Sequence, residues 1–305
     1  MVKRFDSSEG IVWKYVFEFE NAIAEAVLYR YNSFEKRTVI CCSVQSGCPV
    51  GCKFCGTGNR FIRNLTTEEI TSQIDYVVND MNIKTENVKK FQIMFMSMGE
   101  PFLNYLNVQE AILNLNLKYQ NADLLISTVG INSKYWGMFS GMSQCVEKVG
   151  LQFSIHRAFD DKRDKLIPYK NKLTLREIRD IGIYWSRKTS RPVFLNYCVD
   201  GTNIKNSDIN RLKDIFSPEF FNFTFSVVCS SNETMKDAGY RNYDVIKNVM
   251  TEFVKDGYNV RMFDPAGQDD IGGGCGQLWY VQKFLKEKNI FIKNKSLSEM
   301  ESNDH

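Results

Sequence analysis

Between residues 38 and 263 the chain alternates short apolar runs with longer amphipathic stretches, and this alternation restricts the fold more than any other feature. Apolar runs at 38–43, 91–98, 123–129, 151–156, 193–199, 221–229 and 259–263 read as buried strands; the stretches 67–82, 107–117, 133–148, 173–188, 208–216 and 243–256 read as helices. Thr66 or Thr67, followed by acids, marks the start of the first helix. Repeated strand, helix and strand implies parallel βαβ units, since a parallel partner is reached only by a crossover. Such a series closes into a full or partial barrel whose chemistry lies at the carboxyl ends of its strands. The sequence places Gly99, Glu100, Ser127, Ser154, His156 and Asn232 at those ends.

Three cysteines follow the first of these strands. Cys48, Cys52 and Cys55 stand in Cys-Pro-Val-Gly-Cys-Lys-Phe-Cys, a Cys-x3-Cys-x2-Cys run. Thiolates at this spacing suit three irons of a 4Fe-4S cube and leave the fourth iron open. An open iron binds the amino and carboxylate groups of S-adenosylmethionine and passes an electron into its sulfonium, which yields a 5′-deoxyadenosyl radical. A structural zinc knuckle, or three unrelated buried thiols, is the alternative. Zinc needs a fourth ligand, and the nearby candidates are Cys41 and Cys42, with His156 and His305 both distant in sequence.

A chain of 305 residues, 43% of them hydrophobic, is long enough for one substantial core. Its net charge of +3 neither demands nor excludes a polyanionic partner. A local basic patch for RNA has two candidate groups: Lys162, Arg163, Lys165, Lys170 and Lys172, and the later run Lys283, Lys286, Lys288, Lys293 and Lys295. Either group also reads as a solvated helix face. No apolar stretch approaches the roughly 20 residues of a membrane helix, and the first ten residues lack the apolar core of a signal peptide. A cytoplasmic protein with no membrane partner is expected, and its nine cysteines suit a reducing compartment. Residues 1–37 form a short N-terminal extension with strands, 38–290 the barrel, and 291–305 a polar tail expected to be flexible.

Several motifs then occur in a fixed order. They are Ser46 to Cys55, Arg63-Asn64-Leu65-Thr66, Met98-Gly99-Glu100-Pro101 with Asn104, Ser127-Thr128, Ser154-Ile155-His156, Asp200-Gly201, and Asp269-Asp270-Ile271 leading to Cys275-Gly276-Gln277-Leu278. In this order they resemble the RlmN/Cfr group of radical S-adenosylmethionine RNA methyl synthases. The resemblance implies a partial (β/α)6-type TIM barrel with a C-terminal methyl-carrier loop. It also implies that Cys48, Cys52 and Cys55 hold the cluster, and that Gly99, Glu100, Ser127, Ser154, Ile155, His156 and Asn232 contact S-adenosylmethionine. Glu100 is expected to pair with the methionyl ammonium.

By the same resemblance Cys275 takes a methyl group from one S-adenosylmethionine, and the radical from a second abstracts hydrogen from that methyl group. The methylene radical adds to an adenine carbon. Cys41 is the resolving thiol, releasing the methylated base as it forms a disulfide with Cys275, and a polar pocket is expected around it. Strand alternation points Cys42 to the opposite face. Glu25 resembles the base that removes the proton from the methylated carbon.

The chain departs from this pattern in three places. Most members carry an N-terminal helical domain that grips RNA, and here about 37 residues precede the first strand of the barrel. Residues 264–270 lack the usual basic residue and glycine before the acidic pair, and three consecutive glycines precede Cys275. The expected activity is adenine-C2 methylation of 23S ribosomal RNA, transfer RNA or both, by a monomer supplied with electrons by a reductant such as flavodoxin. The alternatives are C8 methylation of the same kind of adenine, a radical enzyme on the same scaffold acting on a non-RNA substrate, and a zinc-stabilised RNA-binding module.

Overall fold

The computed structural model describes residues 1–58, 60–229, 240–274 and 276–288. The sites expected at Cys275 and Asn232, and the tail 291–305, lie outside the described residues. The chain runs β1 (Val2–Asp6), β2 (Val12–Phe19), β3 (Ala22–Arg30), β4 (Thr38–Cys42), β5 (Gln45–Cys48), β6 (Arg60–Asn64), α1 (Thr67–Asp80), β7 (Phe91–Phe95), α2 (Tyr105–Lys118) and β8 (Ala122–Thr128). It continues with α3 (Trp136–Cys145), β9 (Val149–Ser154), α4 (Asp160–Leu166), α5 (Leu175–Thr189), β10 (Val193–Cys198), α6 (Asn206–Ile215), β11 (Phe221–Ser226), α7 (Tyr243–Lys255), β12 (Val260–Phe263) and α8 (Tyr280–Glu287).

One ten-stranded sheet carries the order β1-β2-β3-β4-β7-β8-β9-β10-β11-β12, and β5 and β6 form a separate hairpin. From β4 to β12 every pairing in the large sheet is parallel, with a crossover between neighbours, as the alternation predicts. The sheet order has two ends, so the barrel is partial. The first three strands pair antiparallel and continue the same sheet outward from β4.

The pleat sorts the sheet's apolar residues into two layers. Leu124 and Ile126 of β8 pack under the helices together with Ile70, Ile74 and Val77 of α1. Val12, Val27, Tyr29, Val39, Cys41, Met94 and Leu125 form a smaller cluster on the opposite, concave face. Capping boxes set the starts of α1, through Thr66 and Glu69, and of α5, through Thr174 and Glu177. The observed elements begin and end within a few residues of the expected ones. α4, α8 and the β5-β6 hairpin were not among the expected elements.

Candidate active site

The rim formed by the carboxyl ends of the parallel strands gathers most of the residues singled out above. After β4 the chain turns through Ser43 and Val44 into the β5-β6 hairpin, which delivers Cys48 at the end of β5. Gly47 has φ +79° beside a register shift, and a Cβ there would run into the backbone of Arg60, so this entry to the loop requires glycine. Asn104 fixes the hairpin from below: its amide donates to the carbonyls of Val44 at 2.7 Å and Leu65 at 2.8 Å.

Burial pushes the Cys48 thiol up, while amides of Val50 and Gly51 pull the other way by donating to it. Cys52 is raised further by burial and by the charges of Cys48, Cys55 and Glu100, against the opposing charge of Arg163. Cys48, Cys52 and Cys55 are each only partly buried, and thiolates this close repel one another, so a cationic group between them is what would hold them together. Among the described residues, however, no three His, Cys, Asp or Glu side chains converge on a single-ion site. Three thiolates at this spacing suit a cluster with one open iron, whereas zinc would need a fourth ligand.

Beside the loop, the turn after β7 carries Gly99 and Glu100. Gly99 has φ +103°, and a Cβ there would press on Gln45, whose side chain accepts the Glu100 amide at 2.9 Å. The Glu100 carboxylate is buried and accepts from the Thr128 hydroxyl at 2.6 Å, the Val129 amide at 2.9 Å and the Phe102 amide at 3.1 Å. Burial raises it to about 7, against those bonds and the charge of Arg163. The carboxylate expected to meet an ammonium thus already has three protein donors, and it ties the turn after β7 to the end of β8.

Ser127 and Ser154 end neighbouring strands with their hydroxyls 3.4 Å apart, and Gln152 donates to Ser127 at 3.0 Å. Ile155 is fully buried in the layer under the helices. His156 lies just beyond β9 with φ +57° and is 1% exposed. Its Nδ1 accepts the Cys198 amide at 3.1 Å, and its ring packs edge-on against Phe54 of the cluster loop with centroids 4.8 Å apart. Burial drives the imidazole down to about 3, so it is neutral at physiological pH. It joins β9, β10 and the cluster loop.

The expected basic patch at 162–172 resolves differently. Arg163 is 1% exposed and donates to the carbonyls of Leu173 and Val129, so it is a core residue beside the rim and not part of a surface patch. Lys162 and Lys172 are paired with Asp208 and Asp164. The run Asp160, Asp161 and Asp164 around Arg163 makes it look solvated in sequence. Lys293 and Lys295 of the second group lie outside the described residues.

On the concave face, Lys14, Val27, Cys41 and Met94 form one cross-strand row through β2, β3, β4 and β7. Cys41 packs in the apolar cluster of this face; Cys42 faces the helices, as alternation requires. Glu25 lies two positions from Val27, and its Oε1 accepts the Tyr280 amide at 2.9 Å. The chain just after position 275 is stitched to the cluster loop. The Gly56 amide donates to the Gly276 carbonyl at 2.6 Å, and the Thr57 hydroxyl to the Leu278 carbonyl at 2.8 Å. Lys14 was missed in the sequence, because a single lysine in an apolar strand reads as its solvent-facing position. No disulfide joins the described cysteines to one another. Among the described residues no helix is long and apolar enough to cross a membrane.

No family model matches the chain. It is 35% identical over 290 residues to the probable dual-specificity RNA methyltransferase RlmN of Thermotoga neapolitana, covering 92% of this chain and 78% of that one. The protein of the same name from Dictyoglomus turgidum is 33% identical over 306 residues, covering 95% and 79%. A radical SAM methyltransferase from Sphaerobacter thermophilus shares the fold with TM-score 0.78 at 24% identity, covering 90% of this chain and 79% of that one. SuiB of Streptococcus suis shares it more loosely, with TM-score 0.52 at 13% identity over 75% of this chain and 50% of that one.

Proposed function

The chain belongs to the RlmN family of radical S-adenosylmethionine RNA methyltransferases, and from that premise we propose that it methylates C2 of an adenine in 23S ribosomal RNA, transfer RNA or both, with Cys275 carrying the methyl group. The observation that supports this most is the meeting of three sequence-distant parts on one rim: the cluster loop, the strand ends, and the chain flanking position 275, bonded to the loop through Gly56 and Gly276.

Cys48, Cys52 and Cys55 hold the 4Fe-4S cluster, and Gly99, Glu100, Ser127, Ser154, Ile155, His156 and Asn232 line the place for S-adenosylmethionine, two molecules of which serve each turnover. When bound, the cluster and cofactor supply the radical that activates the methyl group. The chain supplies the rest. Glu100 and His156 fix the strand ends, and neutral His156 adds no charge to the cofactor pocket. Glu25 takes the proton from the carbon being methylated. The Cys41 thiolate attacks the Cys275 sulfur: the disulfide forms as the bond from that sulfur to the methylene carbon breaks, and the electron pair left on the carbon and ring takes up a proton to complete the methyl group; a reductant such as flavodoxin and cellular thiols restore the enzyme.

The test is anaerobic reconstitution with iron, sulfide, reductant and methyl-labelled S-adenosylmethionine, followed by mass spectrometry of protein and RNA. Label on Cys275 and then at adenine C2 is expected, and Cys275→Ala removes both. Label at C8 moves the assignment to the other adenine carbon. Methyl transfer that survives in Cys275→Ala overturns the carrier mechanism.

A further inference from the structure

A charge pair lies beneath the carrier segment, and none of the steps above uses all of it. Lys14 and Glu25 are both fully buried, with Nζ and Oε2 2.6 Å apart. Lys14 Nζ also donates to the carbonyl of Gln277 at 2.9 Å and to that of Gly272 at 3.2 Å. Lys14 thus combines one ion pair with two hydrogen bonds, the latter to carbonyls that bracket position 275. The rings of Trp279 and Tyr280 stand 4.5 and 5.0 Å from the same ammonium. Tyr29, on the Glu25 face of β3, donates its hydroxyl to the Gly273 carbonyl.

A buried ion pair is a poor source of stability, since apolar residues of similar size often serve as well or better. This one also covers the group assigned as the base. Glu25 is 0% exposed, with one oxygen on Lys14 and the other on the Tyr280 amide, so it reaches a substrate proton only after the carrier segment moves. When that segment lifts, the Tyr280 amide leaves together with the carbonyls of Gly272 and Gln277. Lys14, on β2, stays.

We propose that Lys14 is a positioning residue with two tasks: it seats the carrier segment through Gly272 and Gln277, and it keeps Glu25 a carboxylate once that segment has lifted. The inference rests on the reading that Cys275 carries the methyl group and Glu25 is the base. In the step concerned the carbon–hydrogen bond at the adenine carbon breaks, its electron pair stays with the ring, and the proton passes to Glu25. The acid formed is neutral beside an ammonium that keeps its own protons.

Among the described residues, the groups that face Glu25 come from four places. β2 contributes Lys14, the start of α8 contributes the Tyr280 amide, the turn after β4 contributes the Ser43 hydroxyl on the Glu25 main chain, and β4 contributes the Cys41 thiol on the same face. Burial raises the carboxyl, and the Lys14 charge is the largest force holding it down.

The experiment compares wild type, Lys14→Met, Lys14→Arg and Glu25→Gln as full chains. Hydrogen exchange without RNA reads the seating of residues 266–282, and the pH profile of methyl transfer reads the state of the base. In Lys14→Met the segment exchanges roughly tenfold faster, as expected for losing hydrogen bonds to a charged donor. The acid limb of methylation moves up by about one to three pH units, and the rate at neutral pH falls by about 10²-fold. Lys14→Arg keeps the acid limb in place while exchange rises, and it carries the test if Lys14→Met does not fold. Glu25→Gln loses the rate but keeps the segment protected, because its amide oxygen still accepts from Tyr280.

Wild-type exchange of 266–282 in Lys14→Met, or an unmoved acid limb, overturns the proposal. Faster exchange with no methyl transfer by the wild type upholds the seating by Lys14 and removes the proposed function instead.

Discussion

The strand ends around Glu100 and the segment that carries position 275 share one rim, but they are held there by contacts of different range. Glu100 reaches Thr128 and Val129 across 28 and 29 residues, the span of one βαβ unit. Lys14 and Glu25 reach Gly272, Gln277 and Tyr280 across 258, 263 and 255 residues. The first side is built from neighbours within the sheet, and breaking it breaks the sheet. On the second side a chain segment with no strand of its own is docked onto the concave face, and it can open locally at a smaller cost than unfolding. The reaction proposed above, in which a carrier moves past a fixed cofactor, would use this division.

The largest effect should follow from Glu100→Ala. Three buried donors lose their acceptor at once, which costs about 4 kcal/mol or more. The loss should be global, seen as a lower urea midpoint with an unchanged slope. Lys14→Met leaves a buried carboxylate, a change that costs about 3–5 kcal/mol where nothing relieves it. Here the carrier segment can lift and admit water, so the midpoint should fall by about half as much as in Glu100→Ala. Equal losses in the two variants would break the comparison.

A pH series sharpens it within the cofactor side. Folding holds His156 near 3 against an ordinary value of 6.5, so the unfolded chain takes up this proton first. His156 therefore lowers stability progressively as pH falls through 6.5, by about 2 kcal/mol at about pH 5. Glu100 acts in the opposite sense: raised to about 7 from 4.5, it takes up its proton first in the folded state and adds stability as pH falls from about 7 to 4.5. The two nearly cancel in the wild type. His156→Asn keeps an acceptor for Cys198 and tolerates the left-handed backbone, and its stability should rise on acidification to pH 5 by about 2 kcal/mol. Glu100→Gln should fall over the same range. Parallel wild-type and variant curves would sink the assignment.

How much was legible in the sequence follows the same division. Strand and helix alternation announced β4 and β7 to β12 because each βαβ unit stores its pattern locally. Ser127 and Ser154 were legible as strand-end residues because the apolar runs stop there, and the spacing of Cys48, Cys52 and Cys55 singled out the loop that packs Phe54 against His156. α4 was not legible, because Asp-Asp-Lys-Arg-Asp-Lys-Leu has no apolar stripe; Arg163 within it is buried against the carbonyls of Val129, just after β8, and Leu173, just before α5. Glu25 was legible only through resemblance, and Lys14 not at all. Apart from Glu25, the partners of Lys14 are carbonyls 258 and 263 residues away, and such partners leave no local signal.

The smallest effects test the comparison through additivity. Thr66→Ala and Thr174→Ala each remove a capping-box side chain, from α1 and α5, and each should cost about 1 kcal/mol. The caps sit on separate helices with no shared partner, so the double variant should lose the sum to within about 0.5 kcal/mol. Lys14→Met and Tyr29→Phe instead both act on the carrier segment, through Gly272 and Gln277 in one case and Gly273 in the other. Once one change has let the segment lift, the second has little left to release, so the double variant should lose less than the sum by about 0.5 kcal/mol or more. Chemical denaturation of the six variants would read both cycles. Additivity in the second cycle would mean that the carrier segment is held residue by residue, like the strand ends, and does not dock as one piece.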